Sequence, residues 1–429
     1  MNLFLKLKQI NSYIDIGRMK KIVILLLIGG SFFPCISQTS QRLESNYHIQ
    51  LGDTKLKFGN WEAALHDYTN AIATDNSNAE AFMKRAYLNE ITQRFQAAIE
   101  DFNVAIKLNP LSIYFYDKRA KAKILAMDYK GAIDDINKAV SLNPDNSDLI
   151  EHRIDDFILM GEYEMALSDI DSLIKNDSNS TDLVLKKALV YFLENDFTSC
   201  KQILEKLIKA DTISSIAYDL EGMVYLKTEQ YEDAISSFTK AIEINPEFAL
   251  AYYNRAIANR AIAKNEESRN DINKAIEISH DNSNIYFVRA LIKKEAGDID
   301  GALTDYNNAI GLSPDYTDAI YNRAFLKKFL GDYSEALKDA DKLIELEPEI
   351  ASNWNLRGNI SLLFDDYNSA INDYSEAISL DNNYKEAYYN RGLAYIISFR
   401  LLQGCQDLSF SSNLGYNPAE NARILFCGQ

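Results

Sequence analysis

Catalysis needs reactive side chains held together, and in this sequence the candidates are sparse. The four histidines, His48, His66, His152 and His280, lie far apart and have no metal-ligand spacing. No paired-cysteine motif, glycine-rich phosphate loop or nucleophile elbow occurs. The stretch GDIDG at 297–301 has the glycines of a turn but not the ligand spacing of a calcium loop. No enzymatic activity, metal or cofactor is therefore expected. One charged pattern does recur. Arginine stands at 85, 119, 153, 255, 289, 323, 357 and 391, and aspartate at 67, 101, 135, 169, 271, 305, 339, 373 and 407. A planar guanidinium can hold a carboxylate by two parallel hydrogen bonds. The two residues are also lost together, where Lys187 goes with Ile203 and Glu221 with Ser237. That joint loss favours a structural ion pair, with Arg323 and Asp339 as the example, over an arginine row gripping an anion. The pattern does not say whether partners lie in one unit or in neighbouring ones.

The interval between these residues is 34 or a multiple of it, and other residues keep the same beat. Pro110, Pro144, Pro246, Pro314 and Pro348 are spaced by multiples of 34. So are small residues from Ala64 through Ala98, Ala132, Ala166, Cys200 and Ala234 to Gly404. A second small series begins at Gly52 and Ala86 and ends at Gly392, broken by Ile154. Inside one interval, apolar residues recur at three and four, the period of a helix. Short turns such as GDYSEA divide each interval into two runs. Each unit is thus expected to be helix A, a turn, helix B and a second turn. The small residues would sit where the helices cross, since a larger side chain would push the axes apart.

This organisation resembles the tetratricopeptide repeat, a 34-residue helix–turn–helix unit. With Gly52 as position 8 and Ala64 as position 20, the aromatic before helix B falls on Trp61, Phe95, Tyr129, Tyr163, Phe197, Tyr231, Tyr333 and Tyr367. The resemblance covers eleven repeats, residues 45–417. It implies an all-α, right-handed superhelical solenoid whose A helices line an inner groove, with residues 418–429 as a capping helix. Repeat 7 departs most, with Asn265, Ser268 and His280 at family positions, and is expected to be the softest. The resemblance also implies a protein- or peptide-binding scaffold. The family's terminal-carboxylate clamp, Lys and Asn at positions 5 and 9, is absent: repeats 1–3 carry Ile49, Met83 and Asp117, then Asp53, Tyr87 and Lys121. Repeats 3 and 4 are charged there, with Glu151 and Asp155 continuing the series. From repeat 5 the positions turn apolar. Tyr253, Ile257, Phe287, Leu291, Tyr321, Phe325, Tyr389 and Leu393 are the expected partner-binding residues, the position-5 aromatics forming an exposed strip.

The 429-residue chain carries a formal charge of −17, which disfavours a phosphate backbone as partner. Its 17 Gly and seven Pro are too few for a disordered chain. Residues 1–37 read as an export signal with its start at Met19: Lys20 and Lys21, an apolar run too short to span a membrane, and Ser37 before the cut. Attachment of lipid at Cys35 is the alternative. A short segment, 38–44, would precede the repeats. The reading is an exported bacterial protein, periplasmic, envelope-associated or secreted. In such a compartment Cys405 and Cys427, eleven residues either side of Tyr416, would meet across a helix hairpin as a disulfide. Cys200, at a crossing position, is expected as a buried thiol. The competing reading is a structural part of an envelope assembly with an idle groove.

Overall fold

The computed structural model describes residues 33–176, 180–209 and 214–428. Met19, Lys20, Lys21 and the apolar run beginning at Ile22 lie outside the described residues. Among the described residues there are 23 helices and no strand. They fall in two compact units, Met1–Glu194 and Asn195–Gln429.

The first unit holds α1 (Phe33–Lys57), α2 (Trp61–Thr74), α3 (Ala79–Ile91), α4 (Phe95–Leu108), α5 (Ile113–Leu125), α6 (Tyr129–Leu142), α7 (Ser147–Met160), α8 (Tyr163–Asn176) and α9 (Thr181–Leu193). The second holds α10 (Phe197–Lys209), α11 (Ser215–Lys227), α12 (Tyr231–Ile244), α13 (Ala249–Ala261), α14 (Asn265–Ile278), α15 (Ser283–Glu295), α16 (Ile299–Leu312) and α17 (Thr317–Phe329). It continues with α18 (Tyr333–Leu346), α19 (Ala351–Leu363), α20 (Tyr367–Leu380), α21 (Lys385–Ile397), α22 (Leu401–Asn413) and α23 (Asn417–Cys427). Odd helices are the A helices and even ones the B helices, so repeat 5 contributes α9 to one unit and α10 to the other. Residues 38–44 are not a separate segment but lie within α1.

Helix ends follow local chemistry. At α16 the Asp298 carboxylate accepts from the Gly301 amide at 3.0 Å, and Pro314 follows the last turn. Between A and B, position 15 is left-handed in all eleven repeats, with φ from 58° to 82°. Only Gly59, Gly161, Gly297 and Gly331 occupy it without a Cβ penalty. The other seven, including Met127 and Phe399, adopt the same backbone at a cost of about 1–2 kcal/mol each.

The small residues close the crossings. Ala302, Ala336 and Cys200 are fully buried, and a Cβ on Gly222 would stand 2.5 Å from the Phe238 ring. In repeat 7 the fully buried Ser268 hydroxyl donates to the Ala256 carbonyl at 2.8 Å, so the polar intruder is satisfied. Within each unit every consecutive helix packs on the next. The A helices α11, α13 and α15 also approach one another in turn, as do α17, α19 and α21, whereas B helices of successive repeats do not to that extent. The A helices therefore form the inner side of each stack.

Candidate functional site: the inner face of the A helices

The recurrent arginine sits on helix A and the aspartate on helix B of the same repeat. In all eight repeats that have both, Nε and Nη2 of the arginine donate to the two carboxylate oxygens; for Arg323 and Asp339 the distances are 2.9 and 2.7 Å. The open question of within or between repeats thus has a two-part answer. The bidentate pair is within a repeat, and Nη1 donates to position 25 of the preceding repeat. Arg323 reaches Asn307 at 2.7 Å and Arg357 reaches Asp341 at 2.8 Å. The hydrogen bonds to Asp305 hold the Arg289 guanidinium above its ordinary pKa. Position 11 adds a second donor: Lys123, Lys293 and Lys327 lie 2.8, 2.8 and 2.9 Å from Asp135, Asp305 and Asp339. The row of polar residues at positions 11 and 25 escaped the sequence reading, although both keep the 34-residue beat.

The asparagine of the recurring Tyr-Asn-Arg points along the stack. Asn254 donates to Asp219 at 3.0 Å and Asn390 to Asn355 at 3.0 Å, each a position-5 residue of the preceding repeat. Asp219 is only 4% exposed, and burial pushes its carboxyl up to about 6 against the lowering effect of Asn254.

The tyrosine at position 5 requires a correction. Tyr253, Phe287, Tyr321 and Tyr389 do not form an exposed strip; all four are half-buried. Phe287 packs against Tyr306 and Tyr316, with ring centroids 6.0 and 5.1 Å apart, and Tyr389 against Tyr416 at 5.3 Å. Burial pushes Tyr316 up to about 12, with the Tyr253 phenol adding to the shift. The Phe287 and Tyr389 rings thus pack on helix B or the closing loop of their own repeats, and Tyr253 lies near Tyr316 of the next, contacts that spacing along helix A alone cannot display. Ile257, Leu291 and Leu393 are likewise half-buried on the core. Of the eight expected partner-binding residues, Phe325 is the one that stands exposed, at 43%. The Lys328 ammonium lies 4.5 Å from the centre of its ring. Position 12 carries cations in repeats 7–9, Arg260, Lys294 and Lys328, a row the sequence reading overlooked.

In the first unit the inner face is charged and largely self-paired. Lys84 binds Asp53 at 2.8 Å and Lys186 binds Asp155 at 2.7 Å. Asp156 is nearly buried, and burial raises its carboxyl to about 6. Among the described residues no three His, Cys, Asp or Glu side chains cluster as a metal site. None of the described helices is long and apolar enough to cross a membrane.

At the far end Cys405 on α22 and Cys427 on α23 form a disulfide, 22 residues apart in sequence. Cys200 is free and buried, and burial lifts its thiol to about 12.

Tetratricopeptide repeat family models match residues 49–113, 222–261, 283–316, 317–350 and 365–396, in phase with the helix hairpins. The chain is a tetratricopeptide repeat protein. Among solved structures it is similar to Cut9 in the APC/C hetero-tetramer Cut9–Hcn1, at 13% identity over 88% of this chain and 89% of that one, TM-score 0.47. It is similar to yeast Tom70 at 14% identity over 89% and 94%, TM-score 0.41. It is also similar to YrrB, a repeat protein with an unusual peptide-binding site, at 19% identity over 43% and 95%, TM-score 0.38. Among curated proteins none matches the chain in sequence.

Proposed function

We propose that this repeat protein is a non-enzymatic, exported scaffold that binds a partner protein along the inner face of its second unit. Repeats of this family mediate protein–protein interaction, and the observation that carries the finer reading is Phe325. A phenylalanine 43% exposed on the inner side, above half-buried Leu291 and Tyr321, offers rigid apolar area that the fold itself does not cover. Export, to a periplasmic, envelope or secreted location, rests on Lys20, Lys21, the apolar run and Ser37. The test is a photo-crosslinking amino acid at 325 in the native host, with Lys338, 68% exposed on a B helix, as the control site. Partner adducts are expected at 325 and not at 338. Equal adducts at both sites, or none at 325, would refute inner-face binding. Phe287 and Tyr321 are unsuited as probes, because their half-buried rings make substitution a folding defect.

A second reading, docking by the edge with the groove idle, is favoured by one observation. Phe329, Leu330, Phe364 and Phe399 stand 74%, 52%, 55% and 97% exposed at the A–B turns of the last repeats. Crosslinkers at 364 and 399 that capture a partner while 325 does not would choose it.

A further inference from the structure

The paired lysines of repeats 8 and 9 divide their work. Lys293 and Lys327 close the ladder against Asp305 and Asp339, while Lys294 and Lys328, one residue on, turn to the inner face. Among the described residues no carboxylate lies within 4.0 Å of either inner ammonium. Lys294 donates to Asn322 at 2.9 Å, and Lys328 has the Phe325 ring at 4.5 Å. Burial lowers both lysines from their ordinary value. In a chain of net charge −17, two half-buried cations without an ion-pair partner stand out, the nearby Glu295 being held by Arg260. The same row shows what satisfies such a cation: Arg260 in repeat 7 donates through Nε to both Glu295 oxygens, at 3.1 and 2.9 Å.

We propose that the inner face of repeats 8 and 9 takes an extended partner segment in which acidic side chains alternate with apolar ones, the acids meeting Lys294 and Lys328 and the apolar groups meeting Phe325, Tyr321 and Leu291. This inference rests on the groove-binding reading above and adds the partner's chemistry. Charge complementarity selects acids. Lys294 and Lys328 stand on successive repeats, so two acidic side chains along an extended segment give each cation its own carboxylate, and the free-carboxylate peptide below tests the alternative of one shared terminus. Cation and ring together also favour an amphipathic segment over a purely acidic one, since desolvating the lysines strengthens their pairing.

The test uses the full chain and three fluorescein-labelled nonapeptides read by anisotropy. One alternates Glu with Leu and Tyr and ends in an amide; the second replaces Glu by Gln; the third is the Gln peptide with a free C-terminal carboxylate. The Glu peptide is expected to bind best. Its affinity should fall roughly tenfold with each of Lys294→Gln and Lys328→Gln, and more steeply with salt than that of the Gln peptide. Phe325→Ser should weaken both amidated peptides. Equal binding of Glu and Gln peptides, or an acid preference that survives the double lysine variant, overturns the inference and leaves the groove reading standing. Preference for the free-carboxylate peptide overturns it in favour of a terminal clamp. Failure of all three peptides to bind at millimolar concentration overturns the inference, while the groove reading is decided separately by the crosslink at 325. Circular dichroism of the lysine variants, expected to match the parent, separates lost binding from lost fold.

Discussion

Arg323 and Arg357 make the same bidentate contact, but their carboxylates are not equally provided for. Asp339 is 5% exposed and keeps Lys327 at 2.9 Å when Arg323 is removed. Asp373 is 4% exposed, and position 11 in its repeat is Ser361, so Arg357 is its partner cation. Breaking a buried ion pair costs about 3–5 kcal/mol because the survivor stays charged or must take up a proton. Arg357→Met should fall in that range. Arg323→Met should cost about 2–3 kcal/mol, since Lys327 still neutralises Asp339 and the lost part is one charged hydrogen-bond pair plus the link to Asn307. Adding Lys327→Met to Arg323→Met should raise the loss to the level of Arg357→Met. The double variant Arg323→Met/Asp339→Leu should cost less than the sum of its singles by about 1–3 kcal/mol. Urea unfolding gives the totals, and amide exchange in α17 to α20 localises them, because a repeat array responds near the lesion first. Equal losses for Arg323→Met and Arg357→Met, or additive losses in the cycle, would refute the account of the ladder as charge compensation.

Asp219→Asn should stabilise the protein by about 2 kcal/mol at pH 7 and flatten its pH profile. Its folded pKa of about 6 is raised by burial, so the folded state binds the proton more tightly and stability is lost as pH rises from ~4 to ~6; urea midpoints at pH 4, 5, 6 and 7 measure this, and an unchanged slope counts against it. Phe399→Gly should raise stability by about 1 kcal/mol, because the ring is 97% exposed and glycine adopts the left-handed backbone without the Cβ penalty that Phe399 bears; a lowered melting temperature would contradict it. Reducing Cys405–Cys427, which closes 22 residues, should remove about 3 kcal/mol. Faster amide exchange is expected in α22 and α23 only, and exchange spreading to α11 would show that the coupling is not local.

Much of this architecture was legible because repetition multiplies weak signals. A single Ala at a crossing says little, but Ala302 and Ala336 in register with nine other small residues mark one packing contact seen again and again. The ion pairs were legible for a second reason: Arg and Asp disappear together in repeats 5 and 6. The inner face was harder to read. Whether Phe287 is exposed depends on Tyr306 and Tyr316, which belong to helix B and the next loop, and helical spacing along one helix carries no information on how near those come. The cations at position 12, Arg260, Lys294 and Lys328, carry no signal of their own in the sequence, because charged residues on a helix are ordinarily solvated. Only their half-burial, with no carboxylate of the described residues within 4.0 Å of Lys294 or Lys328, gives them meaning.

The choice of arginine for the ladder follows from geometry rather than charge. The guanidinium has donors on three nitrogens, enough to grip an aspartate across its own hairpin with two and reach the preceding repeat with the third. Each rung therefore ties helix A to helix B and one repeat to the one before it. Lysine has a single nitrogen, and Lys187 accordingly makes only the second link, to Asp171. Glu221 in repeat 6 makes only the first, accepting from Ser237 at 2.7 Å. These half-rungs flank Glu194 and Asn195, where the chain divides into its two compact units. In a quasi-one-dimensional array, cooperativity is carried by links between neighbours. A stretch that keeps one link per repeat where two are usual is where such an array is expected to be least cooperative, and amide exchange faster in α9 to α12 than in α17 to α20 is the measurement that checks it.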